Sequence, residues 1–225
     1  MKKQLTLLFH IDDLLLSHGK SHAVTNYIKL LDAACVKNDL LTMTRGKLHE
    51  HLVATLDFRE KGSVIFTQHD AIKNFWMSFP EELREACRLT PAPEHLFKVG
   101  TKSLKLDAKR LEECHAATAK VLCFGQRTRV DLQVSSGRYC TRAKELLEQE
   151  CIKFKHLSGH AWATRFLPLT FSIGENLDVI TCVYGVRAVY NDGRGHSGLF
   201  LTMVQGAMMN ASKKLGLVTT SCTET

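Results

Sequence analysis

Residues 5–16 read LTLLFHIDDLLL, two apolar runs that each have the length of a strand and that enclose the adjacent acids Asp12 and Asp13. Aspartate is disfavoured in strands and favoured in turns, so this stretch predicts a β-hairpin with both acids at or beside its turn. Two carboxylates this close repel each other, and each favours water or a cation as its neighbour. The pattern therefore indicates a divalent-metal site, with an acidic surface turn as the alternative.

The composition is typical of a globular protein. The chain has 225 residues, of which 44% are hydrophobic and 24% charged, enough for one large domain or two small ones. No apolar run approaches the roughly 18 residues of a membrane span, and Asp12 and Asp13 interrupt the apolar start before any signal-peptide cleavage site. We expect an intracellular protein without membrane association, in the cytoplasm or the nucleus.

The eight cysteines are irregularly spaced and include no C-x-x-C pair. This spacing favours reduced thiols inside a cell over a disulfide framework or a zinc finger. Cys151, His156 and His160 could share one helix face in the manner of a zinc half-site. No second matching pair is present, so ordinary helical residues are the alternative.

The net charge of +7 and a pI near 9.0 fit a polyanionic partner such as nucleic acid. The basic residues are spread along the chain rather than clustered. Solvated helix faces are therefore the alternative explanation for them.

Hydrophobic periodicity predicts an α+β fold in which strands with one helix come first, then a helical block, then strands. A helix is predicted after Ser21, a second hairpin from residues 52–56 and 63–67, and a short helix over 70–79 that Pro80 ends. Helices are then predicted from Asp107, over 129–142 and over 146–165. The last predicted strands are 169–173, 179–183 and 199–203.

Several motifs occur in an order that resembles part of the polyprotein of copia-type long-terminal-repeat retrotransposons, from within the reverse transcriptase into the ribonuclease H domain. His10–Asp13 is similar to the polymerase Tyr-x-Asp-Asp box. Residues 52–58 and 62–68 resemble the family's Leu-Gly-Met strand and the strand after it, which runs from a glycine to a glutamine. Residues 119–122 and 127–131 resemble its "G-x-L-x-Y…T-R-P-D" segment, and residues 197–198, 212–214 and 220–224 its "S-T-S-G…S-K-K-Q…S-S-T-E-A-E" segment.

The chain departs from the family pattern at single positions. Val53 and Ala54 stand where the family has Gly and Met, Val130 replaces the Pro of "R-P-D", and His10 replaces the Tyr of the box. The resemblance implies three segments: C-terminal hairpins of the polymerase palm in residues 1–80, a helical thumb and connection in 81–166, and an incomplete ribonuclease H-like mixed sheet in 167–225.

The resemblance also implies an RNA-directed DNA polymerase in which Asp12 and Asp13 help to hold two Mg²⁺ ions. The family takes a third carboxylate from an earlier palm strand, and residues 1–9 contain no acid. We therefore expect the chain to be inactive alone and to need a preceding polymerase segment or a second subunit. The implied partner is an RNA/DNA primer–template duplex, whose phosphates would be held by Arg127, Arg129, Lys153 and Lys155.

The ribonuclease H acids of the family are not matched in full. Tyr184 stands at the position of the leading Asp, Asp192 lies on the following loop, and Glu224 matches only the first Glu of the last motif. A neutral phenol does not replace a carboxylate on Mg²⁺, so no ribonuclease H activity is expected. Two alternatives to an enzyme fragment remain: a non-catalytic basic remnant that binds nucleic acid, and a decayed relic without function. An incomplete sheet would also leave an unpaired edge, with modest stability and a tendency to aggregate.

Overall fold

A computed structural model describes residues 4–11, 13–35, 41–81, 84, 87–100, 102–172, 178–203 and 205–218. The N-terminal elements are β1 (Thr6–His10), β2 (Asp13–Ser17), α1 (Ser21–Cys35), β3 (Leu48–His51), β4 (Ala54–Asp57), β5 (Ser63–Thr67) and α2 (His69–Ser78). They are followed by α3 (Ala108–Arg127), a 3₁₀ turn (Val130–Leu132), α4 (Gln133–Cys140), α5 (Glu148–Ala163), β6 (Leu169–Ser172), β7 (Val179–Val186), β8 (His196–Met203) and β9 (Ala207–Lys214). The predicted α+β class is confirmed. None of the helices in these ranges is long and apolar enough to cross a membrane.

The described strands form three antiparallel sheets, with the orders β1-β2, β3-β4-β5-β6 and β7-β8-β9. Strand β6 follows the helical block, yet it pairs with β5, and Phe66 lies opposite Leu169. A strand from the predicted segment 167–225 thus completes a sheet of the predicted segment 1–80. The mixed sheet predicted for the C-terminal segment is a three-stranded antiparallel meander over the described residues. Its strands follow one another through short connections, whereas a parallel pair requires a long crossover.

The hydrophobic core lies among α2, α3, α4 and α5. Val121, Leu157 and Ala161 are completely buried there, and Trp76 of α2 stacks on Trp162 of α5 with ring centroids 5.3 Å apart. The helices begin and end for local reasons that the sequence contains. Asp107 caps α3 by accepting a hydrogen bond from the Arg110 backbone N–H, and the residue before Pro80 is extended, as proline requires of its predecessor.

The turn between β3 and β4 differs from the sequence prediction. Leu52 and Val53 were expected in a strand, but both have left-handed backbone conformations, with φ of 51° and 66°. A two-residue hairpin turn of this kind favours Asn-Gly or Gly-Gly, and a β-branched residue is strained in it. The strand prediction is wrong here, because Leu52 and Val53 are apolar like strand residues but occupy the turn itself.

The substitution Val53→Gly should stabilise the protein by about 1 kcal/mol, because it removes the Cβ contacts that disfavour the left-handed region. Val53→Ala is the matched control and should gain less, because alanine removes the branching but keeps the Cβ. Urea unfolding of the three proteins measures the difference. A Val53→Gly protein less stable than the parent would show that this turn is not strained.

Two strand regions expose apolar side chains that nothing in the described residues covers. In β1–β2 the exposed fraction is 65% for Phe9 and 77% for Ile11, and in the edge strand β7 it is 56% for Ile180 and 71% for Val183. An isolated two-stranded hairpin is only marginally stable in water, and an apolar edge strand invites pairing with another chain. Strand β7 is thus an edge of its sheet over the described residues, while the expected aggregation stays a prediction.

Candidate metal site and nucleic-acid interface

The predicted β1–β2 hairpin is confirmed, and Asp13 lies beside its turn. His10 ends β1 and pairs with Asp13, which begins β2, so the turn between them consists of two residues. Asp12 lies outside the described residues. Asp13 is exposed, which leaves its carboxylate free to meet a cation supplied from solvent. The metal role of the two acids stays a prediction.

Carboxylate oxygens are the type of ligand that Mg²⁺ prefers, but this turn offers too few of them for a complete site. Magnesium takes six oxygen ligands in octahedral geometry, commonly one or two carboxylates together with water and substrate phosphates. No group of three or more His, Cys, Asp or Glu side chains that could hold a metal occurs among the residues that the structure describes. Asp13 can therefore be one ligand of such a site, with Asp12 as its neighbour in the chain and a further carboxylate from another segment.

The alternative zinc half-site on α5 is not assembled, because its three side chains have three different partners. The Sγ atoms of Cys151 and Cys114 are 2.9 Å apart, His156 Nε2 is 2.9 Å from the Thr90 carbonyl, and His160 contacts Asp131. The contact with Cys114 and burial raise the pKa of the Cys151 thiol, which disfavours the thiolate that zinc binds. These residues are ordinary members of a packed helix.

Arg129, one of the four basic residues predicted to contact phosphates, lies inside the protein. Its side chain is 2% exposed, and its Nε and Nη2 atoms donate to the two carboxylate oxygens of Asp131 over 2.9 and 2.7 Å. A third nitrogen, Nη1, donates to the Thr164 carbonyl over 3.1 Å. Arg129 therefore links the 3₁₀ turn to the end of α5, and it has a structural role in this fold.

Lys153 also lies inside the protein. Its Nζ donates to the carbonyl oxygens of His95 over 2.8 Å and of Leu96 over 3.5 Å, and it also contacts that of Lys98. Burial lowers the pKa of Lys153, yet three carbonyl acceptors are an environment that suits an ammonium group. Lys153 therefore holds the loop before α3 against α5, which is a structural role.

Arg127 and Lys155 remain as candidates for contact with phosphates. Arg127 is half-buried at the end of α3, and its Nη1 is shielded from solvent without a hydrogen-bond partner. Lys155 is half-buried on α5 and has no side-chain ion pair among the described residues. Among the described residues neither the Arg127 guanidinium nor the Lys155 ammonium has a carboxylate partner, so an anion could neutralise either charge.

Two polar contacts join parts of the chain that are distant in the sequence. Thr128 Oγ1 donates to Gln68 Oε1 over 2.6 Å, and both residues are buried. Asp131, whose side chain is 35% exposed, contacts His160 Nε2 at 2.9 Å. Burial alone would raise the pKa of Asp131, but the hydrogen bonds from His160 and Arg129 outweigh it and hold the pKa well below its usual range. No pattern in the sequence predicts this role for His160.

The ribonuclease H positions do not form an acidic cluster in the described residues. Tyr184 lies on β7 opposite Gly198, and a Cβ built on Gly198 would come within 2.8 Å of the Tyr184 ring, so the glycine makes room for the phenol. Asp192 Oδ2 accepts from Lys214 Nζ over 2.6 Å, which lowers the pKa of Asp192. Glu224 lies outside the described residues.

A hydrogen-bonded trio lies at one end of the C-terminal sheet, around the start of β8. His196 is 1% exposed, and its Nδ1 lies 2.9 Å from the Tyr190 hydroxyl while its Nε2 lies 2.7 Å from Ser212 Oγ. Burial lowers the pKa of His196, because the charged imidazolium would lose its hydration. The folded protein therefore holds this imidazole neutral.

This trio makes stability depend on pH. Below about pH 6.5 the unfolded chain binds a proton at His196 that the folded chain excludes, so stability is full above that pH and falls as the pH decreases. Between pH 7.5 and pH 5.5 we expect a loss of about 1 kcal/mol from this group. Urea unfolding at both pH values should show a smaller loss in a His196→Gln variant. Equal losses in the two proteins would contradict this assignment.

A second buried charge cluster was not predicted from the sequence. Glu150 is 2% exposed, and its Oε1 accepts from Arg138 Nη2 over 3.2 Å and from Arg142 Nε over 3.3 Å. Its Oε2 accepts from the Leu147 backbone N–H over 3.2 Å, which caps the start of α5. The sequence predicts either contact with a polyanion or solvated helix faces for the basic residues, and no spacing signal distinguishes this buried pair from a surface pair.

Comparison with known proteins adds no assignment: no model of a protein family matches the chain, and neither a curated protein nor a solved structure was found to match it.

Proposed function

We propose that this chain is part of the RNA-directed DNA polymerase of a copia-type retrotransposon, in which Asp12 and Asp13 belong to a two-Mg²⁺ centre. The observation that carries the proposal is the β1–β2 hairpin, whose two-residue turn leads directly into the exposed Asp13 at the start of β2. The exposed apolar side chains of the hairpin further support it, because they suit packing against other strands of a polymerase palm.

The backbone supports the resemblance at positions where this chain departs from the family. Val53 stands where the family has Gly, and its φ of 66° is one that glycine adopts without strain. Val130 stands where the family has Pro and is the first residue of a 3₁₀ turn, the place where a proline is best tolerated. Both substitutions thus fall where the family residue suits the local geometry better.

In such a centre the bound Mg²⁺ ions would activate the primer 3′-hydroxyl and neutralise the triphosphate. Asp12 and Asp13 would position the ions by direct carboxylate contact, and a third carboxylate would come from an earlier palm strand. Residues 1–11 contain no acid, so the chain by itself supplies too few ligands for catalysis. We propose no ribonuclease H activity, because Tyr184 offers a phenol in place of the leading carboxylate.

The test is primer extension on an RNA template by this chain joined to the palm and fingers segment of a copia-type reverse transcriptase. We expect Mg²⁺-dependent extension by the joined protein and none by the 225-residue chain alone. A joined protein that folds and binds the primer–template but does not extend it would contradict the proposal.

A second candidate function is nucleic-acid binding without catalysis, favoured by the net charge of +7 and by the uncompensated charges of Arg127 and Lys155. Contacts with phosphates release counterions, so such binding weakens steeply as salt is added. Such contacts weaken over a salt range of about 50 to 200 mM. Duplex binding whose affinity stays unchanged over that range would contradict this second function.

A further inference from the structure

Two adjoining cavities of about 410 and 380 Å³ lie between β6 and β9, and both are lined by Leu169 and Ala207. Arg129 and Asp131 line the first cavity, and Arg127 lines the second. We call the second cavity and its walls the β6–β9 groove.

The walls of the β6–β9 groove combine polar side chains with apolar ones, and the apolar ones include two aromatic rings. Phe66 of β5 and Phe171 of β6 line it with ring centroids 5.3 Å apart at an interplanar angle of 79°. Met208 and Met209 of β9 line it too and are more than half exposed. Aromatic and thioether groups of this kind pack well against a planar ring.

One uncompensated positive charge belongs to this groove. Arg127 lines it without an ion pair in the described residues, and its Nη1 lacks a hydrogen-bond partner. In the adjoining cavity, by contrast, Arg129 is already neutralised by Asp131. An unpaired guanidinium beside an apolar surface is stabilised by an anion, and phosphate suits its planar array of donors.

A hydrogen-bonding group lies at the same end. The Asn210 side-chain oxygen accepts from Gln133 Nε2, which fixes the orientation of the amide. Its Nδ2 has no partner in the part of the chain that the structure describes, so the amide can still donate to a ligand.

We propose that the β6–β9 groove binds one nucleotide of single-stranded nucleic acid, with the base against Phe66 and Phe171 and the phosphate at Arg127. An aromatic ring beside a single cation matches the two parts of a nucleotide. The bases of a duplex are stacked on each other and do not reach such a ring, so the groove selects single strands. This inference rests on the proposed nucleic-acid function and names the site that serves it.

The test measures the affinity of the full chain for a fluorescent 12-nucleotide oligothymidylate and for a 12-base-pair duplex by anisotropy. Arg127→Met should weaken single-strand binding about tenfold. The matched control Lys73→Met removes the same charge from an exposed position on α2 that lines neither cavity, and should change the affinity less than about twofold. Phe171→Leu keeps an apolar side chain but removes the ring, and should weaken binding about fivefold.

An abasic oligonucleotide separates stacking from general electrostatic attraction. The unmodified protein should bind it about tenfold more weakly than oligothymidylate, and Phe171→Leu should bind both with similar affinity. Equal losses of affinity in Arg127→Met and Lys73→Met would overturn the proposed groove site. Equal affinities of the unmodified protein for the two oligonucleotides would also overturn it. Duplex binding that depends on Lys155 but not on Arg127 would overturn the groove and leave the proposed function standing. Absence of binding to either nucleic acid would overturn both the groove proposal and the proposed nucleic-acid binding by this chain.

Discussion

The Asp13→Asn substitution should reduce Mg²⁺-dependent primer extension by at least about 10³-fold in the chain joined to a palm and fingers segment. Asparagine keeps the size and one carbonyl oxygen of the side chain but removes the negative charge that Mg²⁺ requires. Because Asp13 is exposed at the start of β2 and pairs with His10, the substitution leaves the hairpin intact. The loss should therefore appear in the turnover rate rather than in folding.

Asp70→Asn is the matched control, because Asp70 is 84% exposed at the start of α2 and belongs to no candidate site. It should leave the extension rate within about twofold of the parent, since isolated surface charges contribute little. Asp12→Asn should match Asp13→Asn if the two acids act as a unit. Extension that survives both substitutions would show that the hairpin acids are not metal ligands.

Glu150→Gln should lower the free energy of unfolding by about 3–5 kcal/mol. The substitution leaves the buried Arg138 guanidinium, 2% exposed, without its carboxylate partner. It also weakens the acceptor for Arg142 and for the backbone N–H at the start of α5. An uncompensated charge in the interior costs far more than the net value of the ion pair that it replaces.

Glu145→Gln separates this effect from the loss of any glutamate. Glu145 contacts the same Arg142 over 3.5 Å, but its side chain is 77% exposed, so its removal should cost less than about 1 kcal/mol. Thermal and urea unfolding of both variants give the comparison. Similar stabilities of the two variants would contradict the assignment of Glu150 as a buried counter-ion.

The elements that could be predicted from the sequence are those whose signals are local. The β1–β2 hairpin, the helix that Pro80 follows and the helix that Asp107 caps were each predicted from residues within one or two turns of their ends. Strands β3 and β9 were missed because their sequences, LHEH and AMMNASKK, are too polar to form an apolar run. The pairing of β5 with β6 joins residues about a hundred positions apart, and no local pattern contains that information.

The candidate site was predicted less well than the fold because charge is an ambiguous signal. Arg129 and Lys153 are residue types that commonly bind phosphates, yet both are buried and donate hydrogen bonds to oxygen atoms of the protein itself. A charged side chain is rarely buried unless a partner accompanies it. For Lys153 the accepting carbonyl of His95 lies far away in the sequence. Arg127 differs from these two residues, because its Nη1 is buried without a hydrogen-bond partner among the described residues.

Sequencing the full transcript and the genomic DNA on both sides of this reading frame tests the proposed polymerase origin most directly. We expect the frame to continue upstream into a palm segment that contains a strand with an Asp, and to continue downstream, after Thr225, into Ala-Glu or a close variant. An upstream coding sequence unrelated to a polymerase palm would contradict that origin, since Asp12 and Asp13 would then have no third carboxylate to complete a metal site.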